Sequence, residues 1–237
     1  MDTEQVSNST KYNRYPSIFK AVQRVAGSEP LRILSFGCST GQEPRTLSEL
    51  YFPQSKIIAV DICEDAMMAA RSTTAHLPNV TILPSDPEVL NAQGPYDLVF
   101  AMSVLCRWPI AKRMEDLSEL FSFSRFEASA WELIKVLKPD GLLILHNGSY
   151  SLTQSHLIRF LNLVLTPLIA EPGQVTRFGP DGRKLSLGGL ATDCIFRKRE
   201  APWPDAASIP LKIENHHGRT VGTIWLSMPC RLPEETT

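Results

Sequence analysis

Short apolar runs alternate with stretches of helical periodicity along most of this chain. The apolar runs predict strands over Ile33–Phe36, Lys56–Asp61, Val80–Leu83, Tyr96–Met102 and Leu142–Leu145. Helical spacing predicts helices over Ser17–Ala26, Glu64–Ala75 and Phe121–Leu137. Strands that alternate with helices in this order indicate an α/β fold built around a mostly parallel sheet.

Beyond Tyr150 the pattern changes. An apolar stretch predicts one more helix over Ser155–Leu168, and Cys194–Lys198 and Thr223–Met228 predict the last two strands. His216-His217-Gly218 between them is expected to be a hairpin turn, since no acidic or cysteine cluster accompanies it. Residues 1–10 are polar and are expected to form a disordered tail.

The turn after the first predicted strand carries the clearest chemical signal. Gly37-Cys38-Ser39-Thr40-Gly41 consists of small residues, and helical spacing begins directly behind it. A strand, a small-residue loop and a helix form the place where an α/β sheet binds a nucleotide, because glycine permits a tight turn and close approach to backbone. Asp61 ends the next strand about 20 residues later, the offset of an acid that binds ribose hydroxyls. A plain tight turn and a solvated acid are the alternatives.

Composition narrows the class of protein. The 237 residues suit one α/β domain, and a net charge of -1 provides no basic surface for nucleic acid. No apolar run is long enough to span a bilayer, and the polar N-terminus does not resemble a secretory signal. The five cysteines lack C-x-x-C spacing, which favours reduced thiols and a cytoplasmic location.

The motifs resemble those of the class I S-adenosylmethionine-dependent methyltransferases. Phe36–Pro44 reads F-G-C-S-T-G-Q-E-P, which is similar to the variant in the chemotaxis-receptor glutamate methyltransferases. The likeness extends from Tyr12 to Arg199 and includes the run Leu137–Leu145. Ser35 stands where many members carry an acid. The resemblance implies a doubly wound, mostly parallel seven-stranded sheet with an antiparallel closing strand, in one domain over 11–237 whose segment 150–193 covers the substrate.

The resemblance also implies S-adenosyl-L-methionine as cofactor. Glu43 would approach its amino group and Asp86 its adenine amine, while a helix-start acid and a turn acid are the alternatives. Residues at the ends of the predicted strands are expected to flank the same ligand, because ligands bind beyond the carboxyl ends of parallel strands. The complete expected set is Gly37, Cys38, Ser39, Gly41, Glu43, Pro44, Asp61, Ile62, Asp86, Met102, Ser103 and Val104.

The substrate is expected to lie beside Tyr15, Arg107, Trp108 and Asn147, which combine aromatic surface with polar groups. Plain packing of Tyr15 and of Arg107 against neighbouring aromatics is the alternative. Methyl transfer from a sulfonium releases a neutral leaving group, so positioning can supply much of the rate, and we expect no metal. A base, if one is needed, would come from Tyr12, Tyr15, His146 or His156.

The expected function is methyl transfer to an O, N or other nucleophile of a small molecule. Only about 30 residues precede the first predicted strand, whereas the chemotaxis-receptor enzymes carry an N-terminal helical domain for docking protein, so a small-molecule acceptor is expected. A protein carboxyl methyltransferase and a non-catalytic S-adenosylmethionine-binding regulator remain alternatives. Neither nucleic acid nor a membrane is an expected partner.

Overall fold

The computed structural model describes residues 10–164, 175–186, 193–203, 208–215 and 217–227. The helices are α1 (Pro16–Ala26), α2 (Gln42–Thr46), α3 (Glu64–Thr74), α4 (Pro87–Gln93) and α5 (Phe123–Lys135). The strands are β1 (Arg32–Phe36), β2 (Lys56–Asp61), β3 (Val80–Pro84), β4 (Tyr96–Met102), β5 (Leu137–His146), β6 (Leu161–Val164), β7 (Ile195–Lys198), β8 (Ser208–Glu214) and β9 (Thr220–Ser227). A π-helical turn over Leu47–Tyr51 extends α2, and 3₁₀ turns cover Ile110–Arg113, Leu152–Gln154 and His156–Phe160. The predicted tail lies outside the described residues except for Thr10.

All nine strands join one sheet in the order β3-β2-β1-β4-β5-β7-β6-β8-β9. The first five are parallel to one another. Strand β7 runs antiparallel to β5 and β6, β8 is parallel to β6, and β9 is antiparallel to β8. The mostly parallel α/β sheet is confirmed, but the expected count of seven strands with one antiparallel closing strand was wrong.

The helix expected over Ser155–Leu168 was also wrong in its described part. A 3₁₀ turn over His156–Phe160 leads directly into β6, while residues 165–168 lie outside the described residues. Leu161 and Val164 are fully buried between neighbouring strands. An uninterrupted apolar run fits a buried strand as well as a buried helix, and here the sheet provides the partners.

Apolar residues on both faces of the sheet hold the parallel half in place. Phe126, Ala130 and Leu133 of α5 pack against one face, and Phe19 of α1 packs against Phe100 on the other. Because β1, β2, β4 and β5 are parallel neighbours, their carboxyl ends meet at one edge. The loops that follow them therefore converge there. None of the helices described is long and apolar enough to cross a membrane.

Candidate functional site

The loop after β1 is held by the neighbouring strand and by α3. The backbone N–H groups of Gly37 and Cys38 both donate to the carbonyl of Val60, at 2.9 Å each. Gly41 has a φ of +85°, and a Cβ at that position would lie 2.9 Å from Cα of Ala70. Both the left-handed backbone and the close approach of α3 require glycine here.

Asp61 closes the same loop from the end of β2. Its Oδ2 accepts a hydrogen bond from Ser39 N at 2.7 Å, and its Oδ1 accepts one from Cys63 N at 3.0 Å. Each carboxylate oxygen has a further lone pair for a ligand hydroxyl. With Ile62 and Asp86 it lines an open groove beyond β2 and β3. Asp86 also caps α4 by accepting from Glu88 N at 2.7 Å.

Glu43 lies at the start of α2 and lines a cleft together with Gly37, Cys38 and Ser39. Its Oε1 accepts a hydrogen bond of 2.8 Å from Ser35 Oγ, so Ser35 of β1 positions the carboxyl group. Burial raises the pKa of Glu43 to about 7, although the Ser35 hydrogen bond and the nearby charge of Arg14 oppose the rise. Such a carboxyl group is well suited to a cationic ligand, whose charge would favour its ionised form.

Three polar side chains meet across the cleft, and we call them the donor cluster: Tyr15, Ser103 and Asn147. The Tyr15 hydroxyl lies 2.7 Å from Ser103 Oγ. Asn147 Nδ2 donates to both oxygens, at 3.0 and 3.1 Å. Tyr15 precedes α1, whereas Ser103 and Asn147 follow β4 and β5, so the cluster joins the N-terminal segment to the edge of the sheet.

The loops after three of the strands hold a non-glycine residue in the left-handed backbone region. Ser39 after β1, Ser103 after β4 and Asn147 after β5 have φ values of 50°, 60° and 57°. Residues in this region persist only where their surroundings fix them, and they cluster at ligand sites. All three line the cleft that Glu43 borders.

The rim of the cleft comes from the segment before α1, from the loop after β4 and from Val175. Thr10, Lys11 and Arg14 line it on one side, and the partly exposed Trp108 lines it on another. The guanidinium of Arg14 lies 5.1 Å from the centre of the Tyr15 ring. Arg14 belongs to the aromatic and basic cluster Tyr12–Tyr15, which the sequence predicted beside the substrate, whereas Lys11 was not predicted.

The four candidate bases occupy different surroundings. The Tyr12 hydroxyl donates to Glu49 at 2.8 Å, and His156 pairs with Glu127 at 2.8 Å, away from the cleft. His146 is fully buried, its two ring nitrogens have no hydrogen-bond partner among the described residues, and burial lowers its pKa to about 4. Only Tyr15 lines the cleft, and burial raises its pKa, so it remains a protonated donor.

The remaining expected residues divide between the cleft and the core. Met102 lines the cleft, whereas Pro44 and Val104 are buried and do not. Arg107 is buried with its guanidinium 4.2 Å from the centre of the Phe121 ring, which matches the packing alternative. Cys38 and Cys106 both line the cleft as free thiols whose pKa burial raises. Within the described ranges, no His, Cys, Asp and Glu cluster could hold a metal ion.

Part of the chain is similar to known methyltransferases. Residues 33–141 match the family described as "Methyltransferase domain". Malonyl-[acyl-carrier protein] O-methyltransferase from Bacillus cereus is 33% identical over 102 residues, which are 39% of this chain and 37% of that protein. The enzyme of the same name from Halalkalibacterium halodurans is 30% identical over 136 residues, 56% of this chain and 44% of its own length. The chain thus spans about two fifths of the length of these relatives.

Two methyltransferases are among the solved structures that match part of this chain. N-methyltransferase NodS from Bradyrhizobium japonicum in complex with S-adenosyl-L-homocysteine has a TM-score of 0.40 and 18% identity, over 53% of this chain and 57% of that chain. Precorrin-6y C5,15-methyltransferase from Geobacter metallireducens has a TM-score of 0.42 and 16% identity, over 61% and 69%.

The matched segment contains β1 to β4 and the start of β5, which carry the glycine loop, Glu43 and Asp61. Together with the two curated relatives, this match supports an enzyme that uses S-adenosylmethionine as its cofactor. The finer likeness to the chemotaxis-receptor variant stays a prediction.

Proposed function

We propose that this protein transfers a methyl group from S-adenosylmethionine to a small molecule bound against the donor cluster. The observation that carries the proposal is the arrangement of one cleft, in which the glycine loop and the Glu43 carboxyl group lie opposite three hydrogen-bonding side chains. A ligand ammonium fits Glu43, and the ribose and adenine fit the groove of Asp61, Ile62 and Asp86. When bound, S-adenosylmethionine supplies an activated methyl group whose transfer leaves a neutral thioether.

The residues of the chain act by binding and orientation. The Gly37 loop and Asp61 fix the cofactor edge of the cleft, and Glu43 orients the amino-acid end. The donor cluster and Trp108 hold the acceptor at a defined distance from it. Fixing two reactants in line can supply several kcal/mol of the barrier, roughly 7–11 in favourable cases. The leaving group is neutral, so the reaction needs no metal.

The segment 150–193 is proposed to cover the acceptor. Val175 lines the cleft, and the ion pair of Arg177 with Asp193, at 3.3 Å, connects the described stretch 175–186 to the end of this segment. Residues 165–174 and 187–192 lie outside the described residues. A cytoplasmic location also stays a prediction.

A second acceptor class is favoured by the names of the curated relatives. Both are malonyl-[acyl-carrier protein] O-methyltransferases, so a carboxyl group carried on an acyl carrier protein is an alternative to a free small molecule. Comparing turnover of a carrier-bound malonyl group with turnover of the free acid distinguishes them. A non-catalytic regulator would show no turnover with either.

Calorimetry with S-adenosylhomocysteine tests cofactor binding. We expect binding by the native protein and weaker binding by Asp61→Ala, because the variant loses the carboxylate that closes the Ser39 loop and faces the groove. A lost charge-assisted hydrogen bond costs about 1.5–3 kcal/mol, or roughly ten- to a hundredfold in affinity. Asp65→Ala, on exposed α3 surface, is the matched control. Equal affinity in both variants would contradict the assignment of Asp61.

A further inference from the structure

Strand β9 forms one edge of the sheet. It pairs with β8 and ends the strand order, so no other strand among the described residues hydrogen-bonds to its outer side. Its sequence, T-V-G-T-I-W-L-S, contains neither a charged residue nor a proline. An edge strand presents a row of unpaired N–H and C=O groups, and charges or proline commonly protect such a row from pairing with another chain. The edge of β9 lacks both of these protections.

Large apolar side chains of β9 are exposed on both faces of the sheet. Ile224 lies opposite Leu211 and Leu226 lies opposite Ile209, and because Leu211 and Ile209 are buried, this is the core face. Ile224 is nevertheless 47% exposed, since the sheet stops beside it. Its neighbour Trp225 projects from the other face and is 68% exposed. One further strand along this edge would cover apolar surface on both faces at once.

A second copy of β9 fits this edge in a register that the strand itself defines. A bulge interrupts the pairing with β8 between Gly222 and Thr220, so regular alternation covers Gly222–Leu226. Directly opposite residues of antiparallel strands share a face, so a two-fold axis between two copies must place one residue opposite itself. The central residue of the regular stretch is Ile224.

The side-chain pairs in that register suit a contact between strands. Ile224 meets Ile224 of the second copy on the core face, where Leu226 also meets Gly222, which leaves room for it. On the other face Trp225 meets Thr223, and symmetry repeats this pair. Aromatic and β-branched residues opposite each other stabilise antiparallel strands. The pairs are large with small or apolar with apolar throughout, and no like charges meet because the strand carries none.

We propose that two copies of this chain associate through β9, as an antiparallel pair centred on Ile224 that continues one sheet into the other. The occupant of the edge is a second copy because the regular stretch is complementary to itself. The contact is independent of methyl transfer, since β7, β6 and β8 separate β9 from β5 and the cleft. One short strand buries less surface than a standard interface, so the association is weak.

Sedimentation of the full chain tests the association. We expect the native protein to shift from one copy to two between low micromolar and near-millimolar concentration. Trp225→Lys should raise the dissociation constant at least tenfold, because it replaces an apolar contact on both copies with a cation. Met68→Lys, at a side chain of α3 that is 55% exposed, is the matched control and should behave as the native protein. A native protein that stays monomeric throughout, or equal dissociation constants for the two variants, overturns the proposal.

Cysteine cross-linking tests the register. Residues directly opposite each other have Cα atoms about 4.5–5.5 Å apart, within the reach of a disulfide. In the proposed pair Ile224 faces itself, whereas the two copies of Thr223 are offset and roughly 8 Å apart, beyond that reach. Under mild oxidation Ile224→Cys should give a covalent dimer well above the level that the native cysteines give, and Thr223→Cys should not. Equal cross-linking of both variants, or a covalent dimer from Thr223→Cys alone, overturns the proposed contact.

Discussion

The protonation state of the Glu43 carboxyl group is coupled to ligand binding. Its pKa of about 7 in the free protein lies well above its ordinary value because it is buried, and a cationic ligand would bring the pKa down again. Cofactor binding below pH 7 should therefore release a proton from Glu43.

We expect the affinity for S-adenosylhomocysteine to fall as the pH is lowered from 7 to 5, by up to about tenfold per unit. Calorimetry in two buffers of different ionisation enthalpy measures the released proton directly. Glu43→Gln, which keeps the shape but cannot ionise, should bind more weakly at pH 7 and show a flatter pH dependence. An unchanged slope in this variant would argue against Glu43 as the ammonium partner.

Individual side chains show which parts of this site the sequence could predict and which it could not. The small-residue loop and Asp61 were predicted because their order along the chain follows the strands, and Glu43 was predicted from the family resemblance. The Ser35–Glu43 hydrogen bond was not found, although both residues were noted, because it joins a strand to the next helix through space. Arg107 was placed at the substrate from its neighbour Trp108, yet its guanidinium lies over Phe121. Which way a loop side chain points depends on packing that the spacing does not contain.

At the scale of elements, the parallel half of the sheet was predictable and the other half was not. Each strand from β1 to β5 is an apolar run bounded by turn residues, so its position follows from the sequence alone. Strand β6 belongs to a longer apolar run, and β8 alternates but contains Pro210, which argues against a strand inside a sheet. Both strands depend on partners that lie far away along the chain. Lys138–Gly141 showed turn chemistry, and the structure places it as a bulge inside β5, with Asp140 at a φ of 62°.

The contact between the glycine loop and α3 can be tested at two glycines. Gly41 and Gly27 have nearly equal φ values, 85° and 83°, but only Gly41 has α3 against it. Their ψ values of 9° and −167° place Gly41 in the left-handed helical region and Gly27 in a region almost confined to glycine, so Gly27→Ala should lose about 1–3 kcal/mol of unfolding free energy through backbone strain alone. Gly41→Ala should lose more than the about 1–2 kcal/mol of left-handed strain, and should weaken cofactor binding, because its Cβ would meet the Ala70 backbone at 2.9 Å. Denaturation curves measure both losses, and a loss for Gly41→Ala no larger than the left-handed strain would mean that α3 yields without cost.

At the scale of the whole molecule, two buried groups give the stability opposite pH dependences. Glu43 has a raised pKa, so its contribution is present at low pH and is lost as the pH rises from its unfolded value toward 7. His146 has a pKa lowered to about 4, so its contribution is present above its unfolded value and is lost as the pH falls. Between the unfolded-state pKa values of the two groups, their effects on how stability changes with pH have opposite signs.

Removing either group should reveal how the other group makes the free energy of unfolding depend on pH. Relative to the native protein without cofactor, His146→Leu should lose stability on going from pH 5 to pH 7.5, and Glu43→Gln should gain it, each by up to about 3 kcal/mol. His146→Leu should be at least as stable as the native protein at pH 7.5, since the ring nitrogens of His146 make no hydrogen bond among the described residues. Chemical denaturation at the two pH values measures both slopes. Parallel curves for all three proteins would show that neither group titrates as its burial implies.

Asn147 precedes Gly148, and this order makes the protein susceptible to deamidation during storage. Asparagine deamidates through attack of the next backbone nitrogen on its side chain, and glycine hinders that attack least. In the folded protein the amide is buried and held by Tyr15 and Ser103, which protects it. In partly unfolded molecules that protection is lost, and deamidation puts a permanent negative charge where the acceptor should bind. Stored preparations would then lose turnover while keeping their fold and their cofactor.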